Sequence, residues 1–359
     1  MLGPSLQPGR GVEIIHEGRK LISFSGCDYF RLSSHPSVIE AANRAIQEHG
    51  WNVSASRATT GNHPLYAQLE SELEIFFGAP ALLASSGYIS NIVVAQGLAN
   101  KADRVFLDEK AHPSLQDAAR FWGTAVRRFK HRDAESLKGA LENAGKAIVL
   151  TDGVFAHDGS VAPLKAYHDL LPPRSWLIAD DAHGAGVIGP AGQGTVALHG
   201  LRAPNVVQTI TLSKAFGAFG GAVIASRSLL DQIVDRSGAF IGGTPIPLPS
   251  AAAALQALRL LRSDTSFIER LRANTAVIKQ AARGSGVRLP DSEAPVVSVA
   301  FSDPAEAEAL RTRLLAAGIY PPFLKYPGGP AAGFFRFVIS SEHAPEHLER
   351  LLRACRWAR

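Results

Sequence analysis

Between residues 80 and 226, short apolar runs alternate with helical stretches, and no other feature of the 359-residue chain limits its fold so much. Strands are expected at 81–84, 105–107, 124–129, 147–150, 176–179, 206–212 and 222–225. Helices are expected after the first strand through Gln96 and at 114–121, 134–144 and 164–170. Alternation at this spacing predicts an α/β fold, a mostly parallel seven-stranded sheet with helices on both faces. Ligands on such sheets bind at the carboxyl ends of the strands. The chemistry is therefore sought just after each strand.

The flanks are simpler. A Pro/Gly-rich arm leads into a hairpin, 12–15 against 21–24, around Glu17-Gly18. Helices follow at 36–49, with Val38, Ile39, Ala42 and Ile46 on one face, and at 65–77, separated by the Ser/Thr/Gly loop 52–62. After Pro249 one long helix is expected to reach about Arg283 and to link two lobes. Strand 295–301, helix 305–317, strand 334–339 and helix 345–356 make a small C-terminal α+β domain, with a Pro/Gly loop at 320–333. The expected division is an N-terminal arm 1–35, a large domain 36–245, and a linking helix with the small domain 246–359. A hydrophobic content of 46% supports cores of that size. The net charge of +5 is mild, and no Lys/Arg block marks a nucleic-acid arm; an anionic ligand suits it better. Cys27 and Cys355 lie at opposite ends of the chain, so neither a disulfide framework nor a metal spacing follows, and a cytoplasmic location is expected. Residues 1–10 lack a signal-peptide core. The apolar stretch 251–261 carries Gln256 and Arg259, so no membrane span is expected.

Several strand ends carry reactive side chains. Lys214, in Thr211-Leu212-Ser213-Lys214, follows a β-branched run and precedes Gly217, Gly220 and Gly221. A partly desolvated lysine there has the nucleophilic amine that a Schiff base needs, although a lone lysine at a strand end is more often a surface residue. Asp180 in Asp180-Asp181-Ala182-His183 can keep a pyridine nitrogen protonated, and His183 can reach a phenolic oxygen on the same ring. Otherwise they are a turn aspartate and a loop histidine, and two ligands without a third make a poor metal site. Ser85-Ser86-Gly87-Tyr88 lies between strand and helix, where first-turn amides bind phosphate, with Tyr88 over the ligand. His112 precedes a helix, where it stacks on a flat ring or caps the helix. Gly184-Ala185-Gly186-Val187-Ile188-Gly189 spells G-x-G-x-x-G, but Pro190, Gly192 and Gly194 follow at once. No helix starts, so the dinucleotide reading is rejected. Arg336 interrupts the apolar strand Phe334–Ile339, which is costly without an anion partner: a substrate carboxylate or a structural ion pair.

In this order, with Gly61-Asn62-His63-Pro64-Leu65 and Asp152-Gly153-Val154-Phe155, these motifs resemble the α-oxoamine synthases, fold-type I pyridoxal-phosphate enzymes that include 8-amino-7-oxononanoate synthase and serine palmitoyltransferase. The resemblance runs from about Phe24 to the C-terminus. It implies pyridoxal 5'-phosphate as cofactor and a homodimer. Lys214 would anchor the cofactor and move protons, Asp180 would face the pyridine nitrogen, His183 the phenolic oxygen, and His112 would stack on the ring. Ser86, Gly87, Tyr88 and Thr211 would hold the phosphate. Thr244 would reach the neighbouring subunit's phosphate, and Arg336 would bind the amino-acid carboxylate.

The implied reaction is decarboxylative condensation of an α-amino acid with an acyl thioester, on coenzyme A or an acyl carrier protein, to give an α-aminoketone. The rivals are transamination, aldol or cyclisation chemistry on the same scaffold, or an inactive partner subunit, which would lack Lys214. The chain also departs from the family. Ala156-His157 replaces Ser-Met, Phe30-Arg31 replaces Leu-Gly, Gly242-Gly243 replaces Tyr-Ser, the glycine-rich loop reads Val53-Ser54-Ala55-Ser56-Arg57, and Arg10 is the stand-in for a substrate-side arginine. Poor turnover of alanine with pimeloyl-CoA is expected from these changes.

Overall fold

The computed structural model describes residues 3–325, 330 and 332–357. The chain opens with strands β1 (Gln7–Pro8), β2 (Glu13–His16) and β3 (Arg19–Ser23). The turn between β2 and β3 sets Glu17 and Gly18 both in the left-handed region, at φ 51 and 75°, so its twist matches that of the strands. Two units are distinct in the fold: Met1–Ser34 with Ala156–Ser160 and Thr265–Arg359, and His35–Phe155 with Val161–Asp264.

The larger unit holds β4 (Ala81–Ala84), β5 (Arg104–Asp108), β6 (Val126–Phe129), β7 (Ala147–Asp152), β8 (Trp176–Asp180), β9 (Val206–Thr211) and β10 (Gly221–Ile224). They form one sheet in the order β4-β10-β9-β8-β7-β5-β6. Strands β5 to β9 run parallel, and β10 is antiparallel to both β4 and β9. The mostly parallel seven-stranded sheet read from the sequence is the one observed. Strands β7 and β9 are buried along their whole length, as continuous apolar runs covered on both faces must be. Side chains alternate: Ile148 and Leu150 pack with Val94, Leu115 and Ile178, while Val149 packs on the other face with Phe106, Leu137 and Tyr167. From β5 the chain steps outward to β6, then returns and runs β7, β8, β9 in the opposite direction. This reversal opens a crevice at the carboxyl ends of β5 and β7.

Two expectations change here. The helix Pro36–His49 buries Val38 and Ala45, whereas Ile39 and Ile46 are exposed. The buried stripe is turned by one residue, because Val38 and Ala45, seven apart, meet the helix Leu248–Ser263 that packs on this one. The long helix after Pro249 is two helices, Leu248–Ser263 and Ser266–Gly284, broken at Asp264, which is extended at φ −130° and ψ 98°. The first belongs to the larger unit and the second to the smaller, so the division falls at Thr265 rather than at 246.

In the smaller unit, β11 (Val296–Ala300), β12 (Ile319–Tyr320), β13 (Phe323–Leu324) and β14 (Phe334–Val338) complete two sheets, β1-β2-β3-β12 and β11-β14-β13. The two short strands β12 and β13 lie where a Pro/Gly loop was expected at 320–333; residues 326–329 and 331 of that loop lie outside the described residues. Helices Ser266–Gly284, Pro304–Ala316 and Pro345–Cys355 cover a core of Phe24, Leu314, Phe335, Phe337, Leu351 and Trp357. Phe337 has no exposed surface and stacks with Phe335 at 6.1 Å between ring centres. Phe337→Ala should therefore destabilise the protein by about 3–5 kcal/mol. A urea midpoint unchanged from wild type would show that this core closes over the gap.

Candidate active site

Asp180 is the last residue of β8 and is buried. Its Oδ2 accepts from Asn91 Nδ2 at 2.7 Å and Ser114 Oγ at 3.3 Å, and its Oδ1 from the Ala182 amide at 3.1 Å. Three donors thus point at this carboxylate. Asn91 sits on the helix Gly87–Gly97, and its Oδ1 accepts from Thr209 Oγ1 at 2.7 Å, which fixes the amide orientation. The turn after β8 then raises His183, with the amides of Gly184 and Ala185 both bonded to the Asp181 carbonyl. From the loop after β9, Lys214 Nζ comes within 2.8 Å of His183 Nε2.

His112 caps the helix Pro113–Ala119. Its amide donates to Asp152 Oδ2 at 2.8 Å, and its Nδ1 accepts from the Ser114 amide at 3.2 Å. Burial pushes the imidazole below its ordinary pKa, with Lys214 adding to the effect and Asp180 opposing it, so the ring is neutral at pH 7. Tyr88 meets this ring edge-on at 6.2 Å and donates its hydroxyl to the Asp117 carboxylate. Ser86 Oγ caps the helix Gly87–Gly97 by accepting the Ile89 amide at 3.2 Å, and the first-turn amides of Gly87 and Tyr88 have no acceptor within the helix. Thr211 packs directly on Gly87: a Cβ there would lie 2.7 Å from Thr211 Cβ. At Gly221 of β10 a Cβ would lie 2.4 Å from the Ser86 backbone. Sheet and the Ser86-Gly87 turn are thus in backbone contact. Donor-held carboxylate, neutral imidazole, amine and open helix amides, all in the larger unit, form a set that fits pyridoxal phosphate.

Thr244 and Arg336 are the other two expected residues. Thr244 is exposed in its loop and lines a small cavity with Arg57 and Ser85. Arg336 belongs to the smaller unit, on β14; Nη1 donates to the Ala156 carbonyl at 3.2 Å and Nη2 lies 4.0 Å from Cys27 Sγ. Among the described residues no carboxylate forms an ion pair with it. Ala156 replaces the family's serine and offers only this carbonyl. Arg10 is exposed at the turn into β2.

Sequence reasoning gave no role to Asn91, Ser114, Asp152 or Asp181. An asparagine amid apolar helix residues carries no signal of its own. Asp181 did have one, in the glycines. It is fully buried, and its Oδ2 accepts from the Thr195 amide and from Gln208 Nε2, both at 2.7 Å. A Cβ at Gly153, Gly184 or Gly194 would come within 2.5 Å of its carboxylate oxygens. Gly184 opens the rejected G-x-G-x-x-G run; only a single 3-10 turn, Pro190–Gly192, follows that run directly, and the glycine makes room for a carboxyl group.

Burial raises the Asp181 pKa to about 6, against about 3.9 in an unfolded chain. A carboxyl raised on folding stabilises fully below pH ~4, and that contribution is lost as pH rises through about 6. Asp181→Asn lacks this dependence, so the variant should gain stability on wild type between pH 4 and 6 and run level with it above pH ~7. A stability difference constant across that range, by urea unfolding, would show Asp181 ionised throughout.

Residues 19–354 match the family model described as aminotransferase class I and II. The 8-amino-7-oxononanoate synthase of Thioalkalivibrio sulfidiphilus is 35% identical over 349 residues, spanning 95% of this chain and 89% of that protein. A serine palmitoyltransferase variant from S. paucimobilis with a bound PLP–myriocin aldimine superposes with a TM-score of 0.89 at 26% identity, covering 98% of this chain and 92% of that one. The 8-amino-7-oxononanoate synthase of Francisella tularensis gives 0.81 at 25% identity, covering 94% and 96%. With this site at the ends of its parallel strands, the chain belongs to the class I and II aminotransferase family, among the α-oxoamine synthases of fold type I.

Proposed function

We propose that the protein condenses an α-amino acid with an acyl thioester, on coenzyme A or an acyl carrier protein, and releases carbon dioxide and the free thiol to leave an α-aminoketone. The observation that carries this reading is the meeting of Lys214 Nζ with His183 Nε2, beside the buried, donor-held carboxylate of Asp180. Pyridoxal 5'-phosphate is the cofactor; when bound it carries the amino-acid nitrogen and draws electron density from the α-carbon. Asp180 would face the ring nitrogen and favour a positive charge there. His183 Nε2 would hold the phenolic oxygen beside Nζ. His112, neutral, would stack on the ring. The amides of Gly87 and Tyr88 with Ser86 and Thr211 hold the phosphate. Lys214 Nζ takes the proton from the α-carbon and returns one to the product carbon. Arg336 holds the amino-acid carboxylate until it leaves as carbon dioxide, and the absence of a protein carboxylate partner supports that use.

The working form in this reading is a homodimer in the cytoplasm. Trp51 is 63% exposed and Ile39 45%, with Ile46 and Ile75 also in water, a set of apolar side chains that a second copy would cover. Thr244, exposed in its loop, would serve the neighbour's phosphate. No described helix is long and apolar enough to cross a membrane. Both cysteines are free thiols, as a reducing compartment leaves them.

Mass spectrometry of products from a panel of amino acids with acyl-CoA and acyl-carrier-protein thioesters tests the reaction. An aminoketone with loss of carbon dioxide is expected; an oxo acid, or a product retaining the carboxylate, would replace this reading with a rival. Lys214→Ala should lose the yellow band of the lysine-bound cofactor. Arg336→Ala should leave that band intact and weaken amino-acid binding about a hundredfold, on the order of 3 kcal/mol, with Arg336→Lys recovering only part because it lacks the planar fork. Equal affinity in all three would remove Arg336 from the site. Trp51→Glu should shift sedimentation toward monomer at micromolar concentration; an unchanged dimer would place the interface elsewhere.

A further inference from the structure

Asp152 ends β7 and Asp180 ends β8, and the two are direct partners in the parallel register. Register partners point to the same face of a sheet, so two carboxyl groups stand side by side at the crevice. Both are nearly out of water, at 5% and 6% exposed. Their surroundings differ. Asp180 receives the three donors already described, two of them side chains. Asp152 accepts from one residue, the His112 amide at 2.8 Å. The other charged groups facing Asp152 are Asp180, Asp108 at the end of β5 and Lys214 after β9, so negative neighbours outnumber positive ones. Two buried carboxyls this close do not both ionise cheaply, and the charge goes to the one with more donors.

We propose that Asp152 is a positioning residue of the active site: it keeps the one proton of this carboxyl pair, which leaves the charge on Asp180, while its Oδ2 fixes the backbone of His112. Burial, reinforced by the charge of Asp180, acts the same way and raises the Asp152 carboxyl well above the ordinary carboxylate range. The inference rests on the reading of Asp180 as the partner of the ring nitrogen. A charged Asp152 would hold the proton on Lys214 Nζ more tightly and blunt it as a base. A neutral one leaves a single negative charge under the ring.

The test is made on the holoenzyme without substrate. At pH 7 the infrared spectrum of wild type should contain a protonated carboxylic-acid stretch that is missing from Asp152→Asn. Between pH 5 and 7 the variant should also gain on wild type in folding equilibrium, by up to about tenfold per pH unit, because the unfolded chain releases this proton near pH 4 and the folded one keeps it. Should Asp152→Asn fold poorly, Asp152→Glu supplies the readout, since it must shift the same stretch rather than abolish it. Identical carboxylic-acid bands in wild type and both variants, or a stability difference flat from pH 5 to 8, would show Asp152 ionised and overturn the proposal. Neither measurement needs an acyl acceptor. A protein that keeps the proton but makes no aminoketone would overturn the proposed reaction and leave the pair standing.

Discussion

A carboxylate kept charged away from water must be surrounded by donors, and at Asp180 those donors come from separate parts of the chain. Asn91 reaches it from one helix, Ser114 from the next, and the Ala182 amide from the turn that follows β8. Satisfying one charge therefore aligns two helix starts and a turn. The same elements carry the other residues of the group: the first helix the open amides of Gly87 and Tyr88, the second the cap His112, and the turn His183. Desolvation is expensive enough that the arrangement tolerates little slack.

Much of this was legible because strands and reactive residues leave period and position in a sequence. Runs such as Val206–Thr211 are too short and too β-branched for helices, and Lys214 and Asp180 stand right at their ends. What stayed hidden has no period. Asn91 looks like any helix residue until Thr209 and Asp180 are brought to its two amide atoms. Asp152 looks like a motif letter until register sets it beside Asp180. The break at Asp264 carries neither proline nor glycine, so a helical period running through it gave no warning. Ile39 and Ile46 show a different limit. An apolar stripe tells which side chains avoid water, and it does not tell which surface will cover them.

The departures from the family fall in both units, with the loop 53–57 and Gly242-Gly243 in the larger one. Phe30, Arg31, Ala156 and His157 all fall in the smaller unit, with Arg336, whereas the cofactor residues fall in the larger one. Arg31 even adopts φ 53°, where the family's glycine would be at ease, and its Nε is buried without a partner.

The close approach of Gly221 to Ser86 has one more consequence. Because β10 lies against the Ser86-Gly87 turn with no side chain between them, the strand backs that turn directly, and in the proposed reading it supports the turn before anything is bound. Its amides are aimed in advance, and cofactor uptake then proceeds without the entropy loss of ordering a loop. Affinity gained in this way resides in the scaffold. A protein built so can let go of its product and its amino acid at every turnover and still retain the group that does the electronic work.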